Sequence, residues 1–261
     1  MPLGITFSGT YSDNKLSLSA YLLPMPYCFE PIGIVHSCFK EKFGIPRQGS
    51  LIPESKASIE FLPPFNQPSA LRGIESYSHI WIVFVFHANP IRPFKSTVRP
   101  PRLGGNQRIG VFASRSGFRP NPIGLSQVES GRVYHQNGRL FLEIKRIDLL
   151  DGTPVLDIKP YLPWADQPYQ ATAGFADTSP RPKMRIEFSS QTESFFKSMP
   201  QDEIDHLKTL IIQILENDPR PAIDRKRSIQ KKYGMRVYDW NICWEVHKSS
   251  IYVHSVMPIR S

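Results

Sequence analysis

Several features that would name a protein's chemistry or location are missing from this sequence of 261 residues. Its three cysteines, Cys28, Cys38 and Cys243, include no CxxC pair, so we predict neither a disulfide framework nor a zinc site, and a reducing cytosol fits. No stretch approaches the roughly 18 apolar residues that cross a membrane, and residues 1–26 lack the basic start of a signal peptide. The P-loop, GxGxxG, HExxH and GxSxG motifs are absent too, so these common catalytic sites are not predicted.

Acidic residues are missing from one long stretch in the first half of the chain. Between Glu75 and Glu129 there is no Asp or Glu, whereas the same stretch holds seven basic residues: Arg92, Lys95, Arg99, Arg102, Arg108, Arg115 and Arg119. The whole chain has a formal net charge of +9, which indicates a polyanionic partner, either nucleic acid or a membrane surface. A solvated basic face is the other reading, although these residues alternate with turn-forming residues instead of lining a helix.

Short β-forming runs separated by Pro and Gly dominate the first part of the chain. The runs predict strands at residues 27–40, 57–62, 79–87, 108–113, 123–134 and 140–148. The third run, HIWIVFVFH, is the most apolar and is predicted to be buried on both faces. Asn137-Gly138 between two β-rich runs predicts a hairpin. We therefore expect a mainly β fold built on a small β-barrel.

The last third of the chain has a different pattern. Residues 166–182 are polar and contain Pro, which predicts a linker. An apolar stripe with three- and four-residue spacing predicts one helix, Gln201–Glu216, opened by a capping box at Ser198. Residues 236–246 and 251–255 predict an antiparallel strand pair. We therefore expect an N-terminal extension (1–26), a barrel domain (27–165), the linker (166–182) and a small α+β module (183–261).

The stretch GVFASRSGFRPNPIGL, residues 110–125, is predicted to form a stiff basic loop at the end of a strand. Pro120 and Pro122 bracket Asn121, which excludes a helix interior and a central strand. Binding residues gather on loops that a rigid scaffold positions. Arg115, Arg119 and Asn121 are therefore candidates to contact RNA phosphates or a modified base, and bracing of the loop itself is the alternative.

Six motifs, in order along the chain, resemble one known family. They are PIGIVHS (31–37), GIPRQ (44–48), SHIWIVFVFH (78–87), TVRPPRLGGN (97–106), GVFASRSGFRPNPIGLS (110–126) and DLLDGTPVLDIKPYLP (148–163). They resemble the TsaA-like, or TrmO-type, tRNA methyltransferases, and NDPRPA with YGMRVYDWNICWEV resembles the C-terminal module of that family.

This resemblance implies an S-adenosylmethionine-dependent enzyme that methylates N6 of N6-threonylcarbamoyladenosine beside the anticodon of a threonine tRNA. It also implies a cytoplasmic homodimer with a β-barrel in place of a Rossmann fold, the cofactor near the subunit interface, and no metal or membrane. A relative that methylates another RNA or a small molecule, and a non-catalytic RNA-binding barrel, remain the alternatives.

Carried onto this chain, the resemblance places the cofactor against Pro46, Arg47, Gln48, His87, Arg115, Leu125, Asp148, Asp151, Gly152, Thr153 and Pro154. Asp148 or Asp151 would supply carboxylates, and Leu125 would face the adenine. From the residues alone, Asp151-Gly152 is equally a plain turn, and Asp148 a solubilising strand end. Asp148 and His87 are the candidates for a general base.

The expected RNA partner is the anticodon stem-loop, because single-stranded loops are where RNA is read by sequence. The candidate RNA contacts are Arg119, Asn121, Arg220, Arg225, Lys226 and Arg227, with Lys231 and Lys232 beyond them. A solvated charge run is the alternative for the C-terminal group.

Overall fold

The computed structural model describes residues 27–180, 184–225 and 231–259, so the predictions for residues 1–26, Lys226 and Arg227 lie outside the described residues. The chain divides into two units, Met1–Glu30 and Pro31–Ser261, and the helices and strands below belong to the second. In chain order the strands are β1 Gly33–Ser37, β2 Lys56–Phe61, β3 His79–Val85, β4 Thr97–Val98, β5 Ile109–Gly110, β6 Ile123–Gln136, β7 Arg139–Lys145, β8 Pro154–Pro160, β9 Arg185–Phe188, β10 Lys232–Val237, β11 Trp240–His247 and β12 Ser250–Pro258. The helices are α1 Pro163–Asp166, α2 Ser190–Phe196, α3 Gln201–Glu216 and α4 Ala222–Arg225.

Six strands form a closed antiparallel sheet in the order β1-β2-β7-β6-β3-β8. β8 completes the ring, because it pairs with β3 along one edge and with β1 along the other. Burial alternates along β2, β3 and β7. Every second side chain on these strands faces the interior of the barrel, and the side chains that do so are apolar. The predicted mainly β class is confirmed.

The predicted hairpin between β6 and β7 is confirmed. Asn137 and Gly138 have φ angles of 52° and 74°, the left-handed conformations that a two-residue hairpin turn needs. The prediction for the strand that became β3 was wrong in two ways. It ends at Val85, and its residues are buried on one face only, because the other face of an antiparallel barrel strand looks outward. Trp81 on that outer face lies beside Tyr161, with ring centroids 5.9 Å apart.

The predicted strand at residues 108–113 was also wrong. Only Ile109–Gly110 is extended, in the short ladder between β5 and β4. The chain then turns into a 3-10 helix, Val111–Ala113, because Val111 is buried and its carbonyl accepts bonds from the amide and hydroxyl of Ser114. The irregular segment before β6 therefore begins at Val111, earlier than the predicted start after residue 113.

The C-terminal module contains a sheet in the order β10-β11-β12-β9, with β9 parallel to β12. Residues 236–246 are two strands and not the predicted one, because Tyr238 adopts a φ of 49° and reverses the chain between β10 and β11. The bounds and buried stripe of α3 are confirmed. Its predicted cap was wrong, since the helix follows Pro200 and the Ser198 hydroxyl donates to the Phe195 carbonyl at 2.7 Å.

Helix α2 was not predicted. It has only seven residues, and Ser189 caps it by accepting a hydrogen bond from the Thr192 amide at 3.1 Å. In the described ranges, no helix is long and apolar enough to cross a membrane.

The module and the barrel share one apolar core, joined through residues 38–55 between β1 and β2. The Tyr238 amide donates to the Cys38 carbonyl at 2.8 Å, and the Glu54 amide donates to Gln213 Oε1 at 2.9 Å. His206 on α3 hydrogen-bonds to both the Glu54 carboxylate and, at 3.0 Å, the Tyr238 hydroxyl. The loop that carries Pro46, Arg47 and Gln48 is therefore held from the C-terminal side.

Candidate active site

Three connections of the barrel meet at one of its ends. Strand register brings the last residues of β1, β3 and β7 to the same end as the first residues of β2, β6 and β8. The connections at that end are residues 38–55, 86–122 and 146–153. All of the predicted cofactor residues lie in these connections or within three residues of the strand starts beside them.

Asp148 is the carboxylate with the most altered chemistry at this end. Its Oδ1 accepts a hydrogen bond from the hydroxyl of Ser126, a buried residue of β6. Burial raises the pKa of Asp148 to about 6, although the Ser126 hydrogen bond and the nearby Arg115 charge act in the opposite direction. The Asp148 carboxyl group therefore ionises near pH 6, well above the ordinary range of an aspartate.

Sequence reasoning missed Ser126. The signal was there: in the alternation of β6, Ser126 occupies an inward position, opposite the apolar Ile82 of β3. Leu125, the next residue toward the start of β6, faces the other side of the strand and is 54% exposed. Leu125 and Asp148 thus lie at the same end of the barrel but on opposite faces of its wall.

A hydrogen bond between Gln48 and Arg115 joins the connection of residues 38–55 to that of residues 86–122. Arg115 Nη1 donates to Gln48 Oε1, and the Arg115 charge also acts on Asp148. The predicted Gln48, Arg115 and Asp148 therefore belong to one group. Pro46, two residues before Gln48, is buried.

Arg47 belongs to a different group. Its pKa is lowered by burial and by the positive charges of Arg225 and Arg102, with Asp218 acting in the opposite direction. Arg102 donates to the hydroxyl of Thr178 at 3.1 Å, which joins residues 86–122 to the segment after the barrel. Arg47 is consequently part of a cluster of arginines next to the C-terminal module.

The turn at Asp151 and Gly152 is tied into the barrel. Asp151 Oδ1 accepts from the Ser37 amide at 2.7 Å, and its Oδ2 lies 3.0 Å from Lys40 Nζ. Gly152 has a φ of 75° and donates its amide to Val35. The Asp151 carboxylate thus has the contacts of a structural turn, while the exposed backbone of Gly152 remains at the site.

Thr153, Pro154 and His87 surround this turn. Thr153 is buried and its hydroxyl donates to the Leu150 carbonyl at 2.7 Å, and Pro154 begins β8. His87 lies two residues beyond β3 and is exposed. Its Nε2 is 3.9 Å from the position that a Cβ on Gly152 would occupy, so the imidazole lies beside the turn.

Arg119 and Asn121, from the stiff basic loop, make different contacts. Arg119 Nη1 donates to the carbonyls of Ser114 at 2.7 Å and Val111 at 3.3 Å, which fits bracing of the loop. The Asn121 carbonyl accepts from the Ile123 amide at 2.7 Å, and its side chain is exposed.

Arg220 and Arg225 are joined to Asp218 in the C-terminal module. Arg220 forms a two-pronged pair with the Asp218 carboxylate at 2.8 and 2.9 Å. Asp218 is only 8% exposed. Arg225 donates to the Arg220 carbonyl at 2.9 Å and is the more exposed of the two arginines. The Arg220 guanidinium is thus held by its ion pair with Asp218, whereas Arg225 is more accessible to solvent.

Two concave regions lie elsewhere, on the outer face of the barrel. Their volumes are about 430 and 250 Å³, and both are lined by His36, Ser58 and Tyr134. None of the predicted site residues lines either region. Since the three connections that carry the predicted cofactor residues and the Ser126–Asp148 hydrogen bond lie at the barrel end, we place the candidate site there. Among the described residues, no cluster of three or more His, Cys, Asp or Glu could hold a metal ion.

Comparison with family models covers most of the chain. The model of the tRNA-methyltransferase O N-terminal domain matches residues 34–167, and that of the TrmO C-terminal domain matches residues 181–259.

Individual relatives agree with these models. The chain is 41% identical over 230 residues to the tRNA (adenine(37)-N6)-methyltransferase of Escherichia coli, across 88% of this chain and 97% of that protein. It is 46% identical over 220 residues to a Pseudomonas aeruginosa protein provisionally named as an S-adenosylmethionine-dependent methyltransferase, across 84% and 93% of the two chains. The crystal structure of TrmO from Pseudomonas aeruginosa superimposes with a TM-score of 0.72 at 39% identity, covering 91% of this chain and 99% of that one.

Proposed function

This chain belongs to the tRNA-methyltransferase O family, and we propose that it transfers a methyl group from S-adenosylmethionine to N6 of adenosine 37 in tRNA. The observation that carries this proposal is the position of Asp148. A carboxyl whose pKa is raised to about 6 accepts a bond from Ser126, at the barrel end where the three motif-bearing connections meet. Perturbed acids of this kind gather at catalytic sites.

The residues at this barrel end fit the cofactor. Gln48, Arg115 and the exposed backbone of Gly152 offer donors and acceptors for the ribose and the amino-acid portion. Leu125 faces the other side of β6 from Ser126, so it is not part of the group around Asp148. When bound, the cofactor supplies an electrophilic methyl group on a cationic sulfonium. Asp148 contributes negative charge near that cation at neutral pH. The closed sheet is, in this proposal, the cofactor-binding fold, and it serves without a Rossmann motif.

Asp148 acts as the general base in this proposal. The acceptor nitrogen shares its lone pair with the purine ring, so loss of its proton makes it a better nucleophile. A carboxylate with a pKa of about 6 is mostly ionised at pH 7 and still basic enough to take a proton in the transition state. Ser126 fixes the orientation of the carboxylate. His87, the other candidate for the base, is exposed and lies beside the Gly152 turn, where this proposal gives it a part in binding the cofactor.

We further propose that the acceptor is N6-threonylcarbamoyladenosine in a threonine tRNA. The arginine cluster of Arg47, Arg102 and Arg225 supports this, because the threonyl group adds a carboxylate and a guanidinium binds carboxylates through paired donors. The proposal includes a cytoplasmic homodimer. It also divides the chain into the barrel domain (27–165), a linker (166–182) and a C-terminal module (183–261) that holds the anticodon stem.

Analysis of tRNA nucleosides by mass spectrometry tests this function. In cells that lack the protein, we expect the N6-methyl form of threonylcarbamoyladenosine to disappear while the unmethylated form accumulates. Return of the gene should restore the methylated form. Persistence of the methylated nucleoside in the deletion cells would argue for another acceptor, such as a different RNA or a small molecule.

A further inference from the structure

Two exposed phenylalanines lie in the loop that carries Arg115. Phe112 is 73% exposed and Phe118 is 48% exposed, although apolar rings of this size are normally covered. Both belong to residues 111–119, which reach the candidate site through the hydrogen bond from Arg115 to Gln48.

Each of these rings has an arginine against it. The Arg119 guanidinium carbon is 5.7 Å from the centroid of Phe112, and that of Arg92 is 5.3 Å from the centroid of Phe118. Arg119 is fixed in this position by its bonds to the Val111 and Ser114 carbonyls. The loop therefore presents two arginine–phenylalanine pairs, in which cation–π attraction orients the exposed ring.

The loop around Phe118 has little freedom to rearrange. The Phe118 amide donates to the Ser116 hydroxyl at 3.2 Å, and the Ser116 amide donates to the Ser114 hydroxyl at 3.3 Å. Gly117 packs so closely on Phe86 that a Cβ there would lie 2.9 Å from its ring. A surface that is ordered before binding loses less entropy when a ligand arrives.

The charge of this region selects among the partners that exposed aromatic rings can have. The loop lies in the stretch from residue 76 to residue 128, which has seven Lys and Arg and no Asp or Glu. A positive surface of this kind attracts a polyanion. Aromatic rings interleaved with arginines in a positive groove are the arrangement on which unpaired bases stack.

We propose that Phe112 and Phe118, with Arg119 and Arg92, form a stacking platform for unpaired bases of the anticodon loop next to the target adenosine. This inference rests on the proposed function, since it takes the tRNA anticodon loop as the ligand. The platform lies beside the candidate site, so bases stacked there hold the target nucleotide at the barrel end. Phe112 and Phe118 are positioning residues and do not touch the reacting atoms.

Fluorescence titration with an anticodon stem-loop RNA that carries 2-aminopurine at one loop position tests the platform. Binding to the full chain should quench the fluorophore, because stacking quenches it. Phe112→Ala and Phe118→Ala should each weaken binding about 5- to 150-fold, the range for loss of one base–aromatic stack. Phe112→Tyr and Phe118→Tyr should keep both the affinity and the quenching, which also checks that the loop is folded.

Phe94 is the matched control. It is 61% exposed in the same acid-free stretch, and the arginine–aromatic pairs found among the described residues do not include it. Phe94→Ala should leave binding within about twofold. Salt gives a second check: stacking releases no counterions, so the slope of log affinity against log salt should stay the same in the Phe112 and Phe118 variants.

Three results would overturn the platform: wild-type affinity in both alanine variants, equal losses in Phe94→Ala, or dissociation of a dimer with RNA binding unchanged. The last result would identify the surface as a protein interface. Methyl transfer to the same RNA is measured separately. Failure of wild-type transfer with RNA binding intact counts against the proposed function, and not against the platform.

Discussion

Replacing Asp148 by asparagine should lower the rate of methyl transfer by about 10²- to 10⁴-fold, the usual contribution of a general base. Asn keeps the size of the side chain and an oxygen that accepts from the Ser126 hydroxyl, but it cannot take a proton. In the wild type, the rate should rise with pH through about 6, where Asp148 ionises. A pH series of single-turnover rates would measure both effects, and the rise near pH 6 should be absent from the variant.

The same substitution should increase the free energy of unfolding at neutral pH. Burial raises the pKa of Asp148 from 3.8 to about 6, so the folded state binds this proton more tightly than the unfolded state. Stability is therefore lost as pH rises from about 4 to above 6. Asn removes that loss, which amounts to at most about 3 kcal/mol. The gain should vanish below about pH 4 in thermal unfolding.

Asp151→Asn is the matched control for this experiment, because it changes a second carboxylate in the same connection. It breaks the ion pair with Lys40 and leaves the contact with the Ser37 amide possible. We expect a loss of up to about 1 kcal/mol in stability and a transfer rate within about tenfold of the wild type. A larger rate loss in Asp151→Asn than in Asp148→Asn would show that the assignment of Asp148 as the general base is wrong.

The Ser126→Ala substitution should move the rise in rate to higher pH, since the Ser126 hydroxyl lowers the pKa of Asp148.

Replacing Gly49 by alanine should destabilise the protein by about 3 kcal/mol or more. A Cβ at Gly49 would lie 1.7 Å from the carbonyl oxygen of Arg146 and 2.5 Å from its carbon. Both atoms are backbone, so one connection must move away from the other. Gly49 follows Gln48, and Arg146 precedes Asp148 by two residues, so the substitution should also separate the two halves of the site and weaken cofactor binding.

Gly110→Ala provides the comparison. Its φ is −56°, and nothing lies within 4 Å of the position that its Cβ would take. Its stability should change by no more than about 0.5 kcal/mol. Denaturant unfolding of the two variants, with calorimetric titration of S-adenosylmethionine, makes the test. Equal stability of the two variants would show that the contact between residue 49 and Arg146 does not hold the site together.

The sequence predicted the elements whose signals lie within a single short stretch of the chain. The apolar stripe of Gln201–Glu216 matched α3 at both ends, and Asn137-Gly138 matched the β6–β7 hairpin. Both depend on residues that are neighbours along the chain. The motifs of the family resemblance include residues of all three connections at the barrel end, but the motifs alone did not show that these connections meet.

Contacts between distant segments could not be read from the sequence. Ser126 and Asp148 are 22 positions apart and meet only because of the way the strands close. The hydrogen bonds from Arg119 to the carbonyls of Val111 and Ser114 depend on a 3-10 turn. The sequence pattern of residues 108–113 had wrongly predicted a strand there. For the same reason, the placement of Arg47 beside Arg225, and of Leu125 on the outer face of β6, required the fold.

The most direct test of the central claim is methyl transfer by the purified protein with isotopically labelled S-adenosylmethionine. Two threonine tRNAs should be compared, one carrying N6-threonylcarbamoyladenosine at position 37 and the other bearing an unmodified adenosine there. We predict incorporation of one methyl group at N6 of the modified nucleoside, and little or none in the unmodified tRNA. Absence of incorporation into the modified tRNA, with the cofactor demonstrably bound, would contradict the assignment.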